Sequence, residues 1–297
     1  MIVPVLAVLL ALPVSARDWS KTKIEARRMG PGVYMLIGEG GNIGVSAGED
    51  GVFLIDDQVA PLTEKILAAV GRISKKPVRF VLNTHWHGDH TGGNEKLGRT
   101  GAVIVAHDNV RARLSADQLG RVFGGDVKAS PKGALPVVTF SERVSFHLNG
   151  DEIEVSHAAS AHTDGDAFVR FKKANVIHTG DIFFNGFYPF IDVSAGGTLS
   201  GLIAAVEDVL ETADAKTRII PGHGPPAGVG ELRVYLEMLK GVRSALIPLA
   251  ESGLTLEEVL ARRPLKRFDA EWGDGWLKPE QFLRIVFLAV KSEGAGR

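Results

Sequence analysis

The stretch Thr84-His85-Trp86-His87-Gly88-Asp89-His90-Thr91-Gly92-Gly93-Asn94 places three imidazoles and one carboxylate within six positions. It follows a short apolar run, residues 78–82, that stops at Asn83-Thr84 and reads as a buried strand. In an extended segment residues two apart point to the same side, so His85 and His87 can grip one ion. A turn at Gly88 can then send Asp89 and His90 towards a second. Neutral imidazole nitrogen and carboxylate oxygen bind zinc at about 2.0–2.2 Å, and the adjoining glycines admit the close approach that a metal and a substrate need. The competing reading, a solvated polar loop, leaves the His-x-His-x-Asp-His spacing after a strand unexplained.

Upstream of this loop, residues 33–37, 42–47 and 51–56 look like three strands of an antiparallel meander, and residues 60–73 have helical spacing. Downstream, strands are expected at 103–105, 137–140, 143–148, 152–156, 167–171, 176–179 and 218–221, with helices at 108–114 and 199–210. Residues 230–297 read almost wholly as helices, including 232–250, 255–262 and 279–291. Two strand-rich halves, each with helices, imply an α+β layered sheet sandwich with helices outside. No internal repeat carries matching motifs, and no linker is long enough to separate two independent domains.

The 297 residues carry 34 Lys+Arg against 35 Asp+Glu, a net charge of -1. This balance offers no field for gathering a polyanion, which argues against nucleic acid as a partner. A hydrophobic share of 45% is enough for a real core and too high for a disordered chain. With no cysteine, thiolate nucleophiles, disulfides and cysteine-ligated metals are excluded, so any metal must be held by His, Asp or Glu. The first sixteen residues, MIVPVLAVLLALPVSA, lack charged side chains and end in Val14-Ser15-Ala16. They are expected to be a signal peptide cleaved before Arg17, giving a secreted, periplasmic protein whose mature form, residues 17–297, has no membrane span.

Of nine histidines, His162 and His223 join the three above in glycine-rich segments after or between predicted strands, whereas His107, His147, His157 and His178 lie outside any tight cluster and are read as structural. The chain resembles the metallo-β-lactamase superfamily of αββα hydrolases. The resemblance continues through Ser160-Ala161-His162-Thr163-Asp164-Gly165-Asp166, His178-Thr179-Gly180-Asp181 and Pro221-Gly222-His223-Gly224, in the family's order, over most of residues 30–225. It implies an αββα four-layer sandwich with extra C-terminal helices, and one catalytic domain on which residues 230–297 pack. By the same carry-over, His85, His87 and His162 would bind a first zinc, Asp89, His90 and His223 a second, and Asp181 would bridge the two Zn2+. The implied chemistry is hydrolysis by a metal-bridging hydroxide, with Asp89 orienting it and relaying a proton. Thr91, Asp164 and Asp166 are candidates for holding the histidine tautomers, with turn or cap roles as the alternative.

The substrate is expected to be a small molecule, and a β-lactam or other cyclic amide or ester leads because of the export signal. Two departures count against the familiar β-lactamases. Asp181 stands where many have cysteine, as in glyoxalase II-like members, and residues 182–190 lack the lysine that receives the drug carboxylate. In that segment Phe183, Phe184, Phe187, Tyr188 and Phe190 are candidates for a pocket wall or for core packing, and Asn185 and Tyr188 for oxyanion donors. Ile37-Gly38-Glu39-Gly40-Gly41-Asn42 resembles a mobile hairpin near the metal face, a simple turn being the alternative. A glyoxalase II-like thioesterase or a lactonase is the alternative. Lys240, Arg243 and Lys266 are the C-terminal basic residues available to a glutathione conjugate in the thioesterase case, solvated helix faces being the simpler reading. An iron-dependent oxidoreductase of the same fold, a nuclease and a non-catalytic zinc protein complete the alternatives.

Overall fold

The computed structural model describes residues 18–119 and 125–295, so the expected leader, residues 1–16, lies outside the described residues. Strands β1 (Glu25–Gly30), β2 (Val33–Ile37), β3 (Ile43–Gly48), β4 (Gly51–Ile55), β5 (Val78–Asn83), β6 (Val103–His107) and β7 (Val138–Phe140) form one sheet in sequential order. The first four pair antiparallel, as a meander must, and the rest pair parallel through crossovers. These crossovers carry helices α1 (Thr63–Ile73), α2 (Gly88–Thr91), α3 (Asn94–Arg99) and α4 (Asp108–Leu114).

The second sheet runs β13-β12-β11-β10-β9-β8, from β8 (Arg143–Leu148), β9 (Asp151–His157), β10 (Ala167–Phe171), β11 (Val176–His178), β12 (Arg218–Ile220) and β13 (Ala227–Gly228). Helix α5 (Leu199–Thr212) connects the parallel pair β11 and β12. Beyond β13 come α6 (Val229–Glu251), α7 (Leu256–Arg262), α8 (Asp269–Trp272) and α9 (Pro279–Ala295).

Alternation along the strands divides the core into layers. On β4, Phe53 and Ile55 face the second sheet and meet Val155, Val169 and Phe171 in one apolar cluster. Val52 and Leu54 point the other way, onto Leu62, Ile66 and Val70 at and within α1. On the far side, Phe168, Ile177 and Ile219 of the second sheet pack with Leu202 and Val206 of α5, Leu239 of α6 and Val286 of α9. The result is the expected αββα four-layer sandwich. The C-terminal helices share their core with the second sheet.

Most expected elements appear within a residue or two of their positions. Strand β1 was not foreseen. Its first four residues, Glu25 to Arg28, are exposed at the sheet edge, so they carry no apolar alternation to read.

Candidate metal centre

Loops at the C-terminal ends of β5, β9, β11 and β12 converge on one point at the rim between the sheets. The loop after β5 delivers His85 and His87 and runs into the short helix α2, which carries Asp89 and His90. His162 stands in the β9–β10 loop, Asp181 in the 3-10 turn Gly180–Ile182 after β11, and His223 just past β12. Backbone close approach seals the centre. A Cβ on Gly41, in the β2–β3 hairpin, would fall 2.1 Å from His90 Cε1, and one on Gly222 would fall 2.1 Å from Asp181 Oδ1.

Seven side chains meet there in two donor sets, His85, His87, His162 and Asp181 in one and Asp89, His90 and His223 in the other. The donor atoms of each set lie within 4.8 Å of one another. Asp181 spans the two sets. Its Oδ2 is 3.7 Å from His85 Nε2 and 3.4 Å from His162 Nε2, while Oδ1 is 3.1 Å from His90 Nε2 and 3.4 Å from His223 Nε2. Asp89 Oδ2 completes the second set, 3.3 Å from His223 Nε2 and 3.6 Å from His90 Nε2. His87 turns Nδ1 inward, 2.9 Å from His162 Nε2. One buried donor, His85 Nε2, has no hydrogen-bond partner. Buried polar atoms are normally paired, so lone pairs aimed at a shared centre suit bound cations.

The outward nitrogens of His85, His87, His90 and His162 are engaged, and not by the residues expected. His87 Nε2 lies 2.9 Å from Asp192 Oδ2, and His162 Nδ1 lies 2.8 Å from the Phe190 carbonyl. Asp56 directly follows β4 with a left-handed backbone, φ 64°, which turns its carboxylate into the site. It accepts from Thr84 N and Thr84 Oγ1 and sits 2.7 Å from His90 Nδ1, while Thr84 Oγ1 also reaches His85 Nδ1 at 3.1 Å. Thr91 instead donates to the His87 carbonyl, Asp164 is clasped by Arg113, and Asp166 accepts from Thr163 N and Oγ1. Thr91 and Asp166 take the turn and cap roles, and Asp164 takes neither, being paired with Arg113. Asp56 and Asp192 lie 34 and 105 residues from the imidazoles they hold, beyond what spacing can signal.

The metallo-beta-lactamase superfamily pattern matches residues 36–223, more than half of the chain and every residue of the two donor sets. The chain belongs to the metallo-beta-lactamase superfamily. A hydroxyacylglutathione hydrolase from Polaromonas sp. is 27% identical over 166 residues, 56% of this chain and 56% of that protein. The match therefore spans about half the length of that relative. In fold, the chain is similar to a metallo-beta-lactamase from Pontibacter korlensis, with TM-score 0.60 and 20% identity over 73% of this chain and 99% of that one. It is also similar to the inverting sec-alkylsulfatase Pisa1 from Pseudomonas sp., with TM-score 0.65 and 19% identity over 89% of this chain and 50% of that one.

Within this superfamily member the two donor sets differ in charge. Burial, first of all, pushes His85, His87 and His162 below the ordinary imidazole range, so each stays neutral, the form that donates a lone pair. Burial also acts on His90 and His223, but the Asp181 and Asp89 carboxylates outweigh it, raising His90 well above the ordinary value and His223 to about 9. Against its own burial, Asp181 is held well below the carboxylate range, chiefly by His90 and His223. His178 remains structural, as read from the sequence. Its Nδ1 accepts from Gly180 N and its Nε2 donates to the Asn42 carbonyl, fixing the turn that presents Asp181.

A cleft of about 390 Å³ opens beside His223, lined by Arg27, Gly38, Glu39, Asn42 and Phe187 among others. Asn42 Nδ2 ties the hairpin to the His223 loop through the carbonyls of Pro221 and Gly224, each at 2.9 Å. The aromatic candidates separate by depth. Phe183, Phe184 and Tyr188 are fully buried, whereas Phe187 and Phe190 are half-buried at the site. Phe184 stacks on His223 at 5.2 Å. Neither expected oxyanion donor points at the centre, since Asn185 Nδ2 donates to the Pro225 carbonyl and Tyr188 Oη to Asp269. Arg27, which sequence reasoning missed, comes from the unforeseen strand β1.

Proposed function

We propose that the protein is a metal-dependent hydrolase that binds two zinc ions, His85, His87 and His162 holding one, Asp89, His90 and His223 the other, and Asp181 both. The observation that carries this reading is Asp181, a buried carboxylate whose two oxygens each face a different set of imidazoles. Such ions, when bound, supply an acidified water and an electrophile for a carbonyl oxygen. The chain's own residues do the rest. Asp56, Asp192 and the Phe190 carbonyl fix imidazole orientation, and Phe184 backs His223. Asp89 is the more open carboxylate, with 38% of its side chain exposed. Burial works to raise it, but His90 and His223 hold it below the usual range, so at neutral pH it would orient a nucleophile as an ionised acceptor.

The substrate is a small cyclic amide or ester, with a β-lactam leading, and the mature enzyme is exported. Support comes from the apolar leader, from a cleft within the size range of small-ligand sites, and from Arg27 on its wall as the partner for a substrate carboxylate. A thioesterase reading has the hydroxyacylglutathione hydrolase relative in its favour. Lys240 pairs with Glu207 of α5, and Arg243 lines a separate cavity between α6 and α9.

The test is turnover of a chromogenic cephalosporin by the zinc-loaded chain from Arg17, with metal content measured alongside. Two zinc ions per chain, turnover abolished in Asp181→Ala or by chelator, and a KM that rises about tenfold in Arg27→Ala are expected. Zinc binding with no cephalosporin opened would shift the substrate to an ester, lactone or thioester. Failure to bind zinc would end the reading.

A further inference from the structure

We propose that Trp276, carried by the C-terminal helical segment, and Phe190 form an apolar subsite beside the His87 and His162 donors that takes an uncharged aryl or alkyl substituent of the substrate. This inference rests on the hydrolase reading above and names the substrate chemistry that site prefers.

Trp276 stands in the turn between α8 and α9 and is 61% exposed, an unusual state for the largest apolar side chain. Its neighbours in sequence are not loose. Trp272 and Leu277 are buried, Tyr188 N donates to the Trp272 carbonyl at 2.9 Å, and Tyr188 Oη donates to Asp269 at 3.1 Å. Gly275 lies so close to Phe187 that a Cβ there would stand 2.6 Å from Phe187 Cβ. The turn is thus fastened to residues 187–188 just before Trp276 and buried in the core through Leu277 just after it, and the exposed indole is held rather than left over.

What it is held against is the donor cluster. The Trp276 ring meets Phe190 edge-on at 6.1 Å, and the Phe190 ring lies 5.9 Å from His87 and 5.7 Å from His162. Phe190 has a second tie to the centre, since its carbonyl receives His162 Nδ1. A group bound at the first donor set therefore has an aromatic flank on this side, and Phe187, packed against Gly275 next to Trp276, lines the cleft beside His223. The rings of this flank are uncharged, Lys240 is paired with Glu207, and Arg243 lines a separate cavity. Apolar surface gained by the ligand, not charge, is what this flank rewards.

The experiment compares two carboxylates, acetate and 4-phenylbutyrate, binding to the zinc-loaded full chain by calorimetry, with quenching of tryptophan fluorescence as a second readout. Wild-type protein should prefer 4-phenylbutyrate by roughly tenfold, the factor expected when about 60 Å² of apolar surface leaves water. Trp276→Ala should reduce that preference to about twofold while leaving acetate binding unchanged, and Trp276→Phe should retain most of it. An unchanged preference in Trp276→Ala, or no preference in the wild type, overturns the subsite. Turnover is not read, so a preference that holds in a protein that hydrolyses nothing would leave the subsite standing and sink the hydrolase reading instead.

Discussion

The two halves of the donor cluster are built to different electrostatic rules. His85, His87 and His162 are kept neutral by burial, and their outward nitrogens rest on Thr84, Asp192 and a backbone carbonyl. His90 and His223 face carboxylates and are raised, so without metal they form a compensated set of ion pairs with Asp89 and Asp181. The first half is poised for a cation and leaves His85 Nε2 unsatisfied without one. The second half satisfies itself by charge, and a cation must displace its protons. Asp181 is what couples these halves, and removing it should have the largest effect. Asp181→Ala is expected to lower turnover at least a thousandfold and to reduce bound metal below one ion per chain. Retention of two ions would break the coupling.

Selective lesions should then separate the halves. Asp192→Asn removes the carboxylate behind His87, within the first half, and Asp56→Asn touches His90 directly and His85 through Thr84. Each should weaken metal affinity about 10- to 100-fold, the usual consequence of losing an outer-shell carboxylate. Stepwise metal titration should show one weakened step in Asp192→Asn and two in Asp56→Asn. Identical profiles for the two variants would mean the halves are not independent. A smaller lesion comes from the hairpin. In Gly41→Ala the new methyl must push His90 aside, so the second half should lose its ion while the first keeps its own. Elemental analysis near one ion per chain is the expected result, and a value near two would show that His90 can shift without cost.

How much of this contrast could be read in advance depends on sequence distance. The seven donors lie in short glycine-bearing motifs at strand ends, where residue type and spacing carry the signal, and the structure brings all of them together. The groups that make the halves different lie elsewhere. Asp56 directly follows a strand and works through a left-handed backbone, and Asp192 sits in a loop with no motif of its own. Thr91, Asp164 and Asp166 were attractive through proximity alone, yet Thr91 and Asp166 satisfy their own turns first and Asp164 pairs with Arg113. Strand β1 and Arg27 were missed because an exposed edge strand shows no apolar alternation, and Trp276 because an aromatic in a helical region reads as core.

Asp166 gives the smallest effect and tests the scaffold behind the first half. Its carboxyl lies four residues beyond His162, fully inside the loop, where burial pushes it up to about 7 despite donation from Thr163 N and Oγ1. The folded value lies above the unfolded one of about 3.8. The sign follows directly: its contribution to stability is fully present below about pH 4 and is lost as pH rises through about 7. In metal-free protein this amounts to at most about 4 kcal/mol. Asp166→Asn keeps an acceptor for Thr163 and cannot ionise, so its urea midpoint should change less between about pH 4.5 and pH 8 than that of the wild type. The wild type alone should lose stability across that window through this group. Parallel pH profiles for the two proteins would show that Asp166 is already ionised in the folded chain, and that the loop carrying His162 tolerates a buried charge.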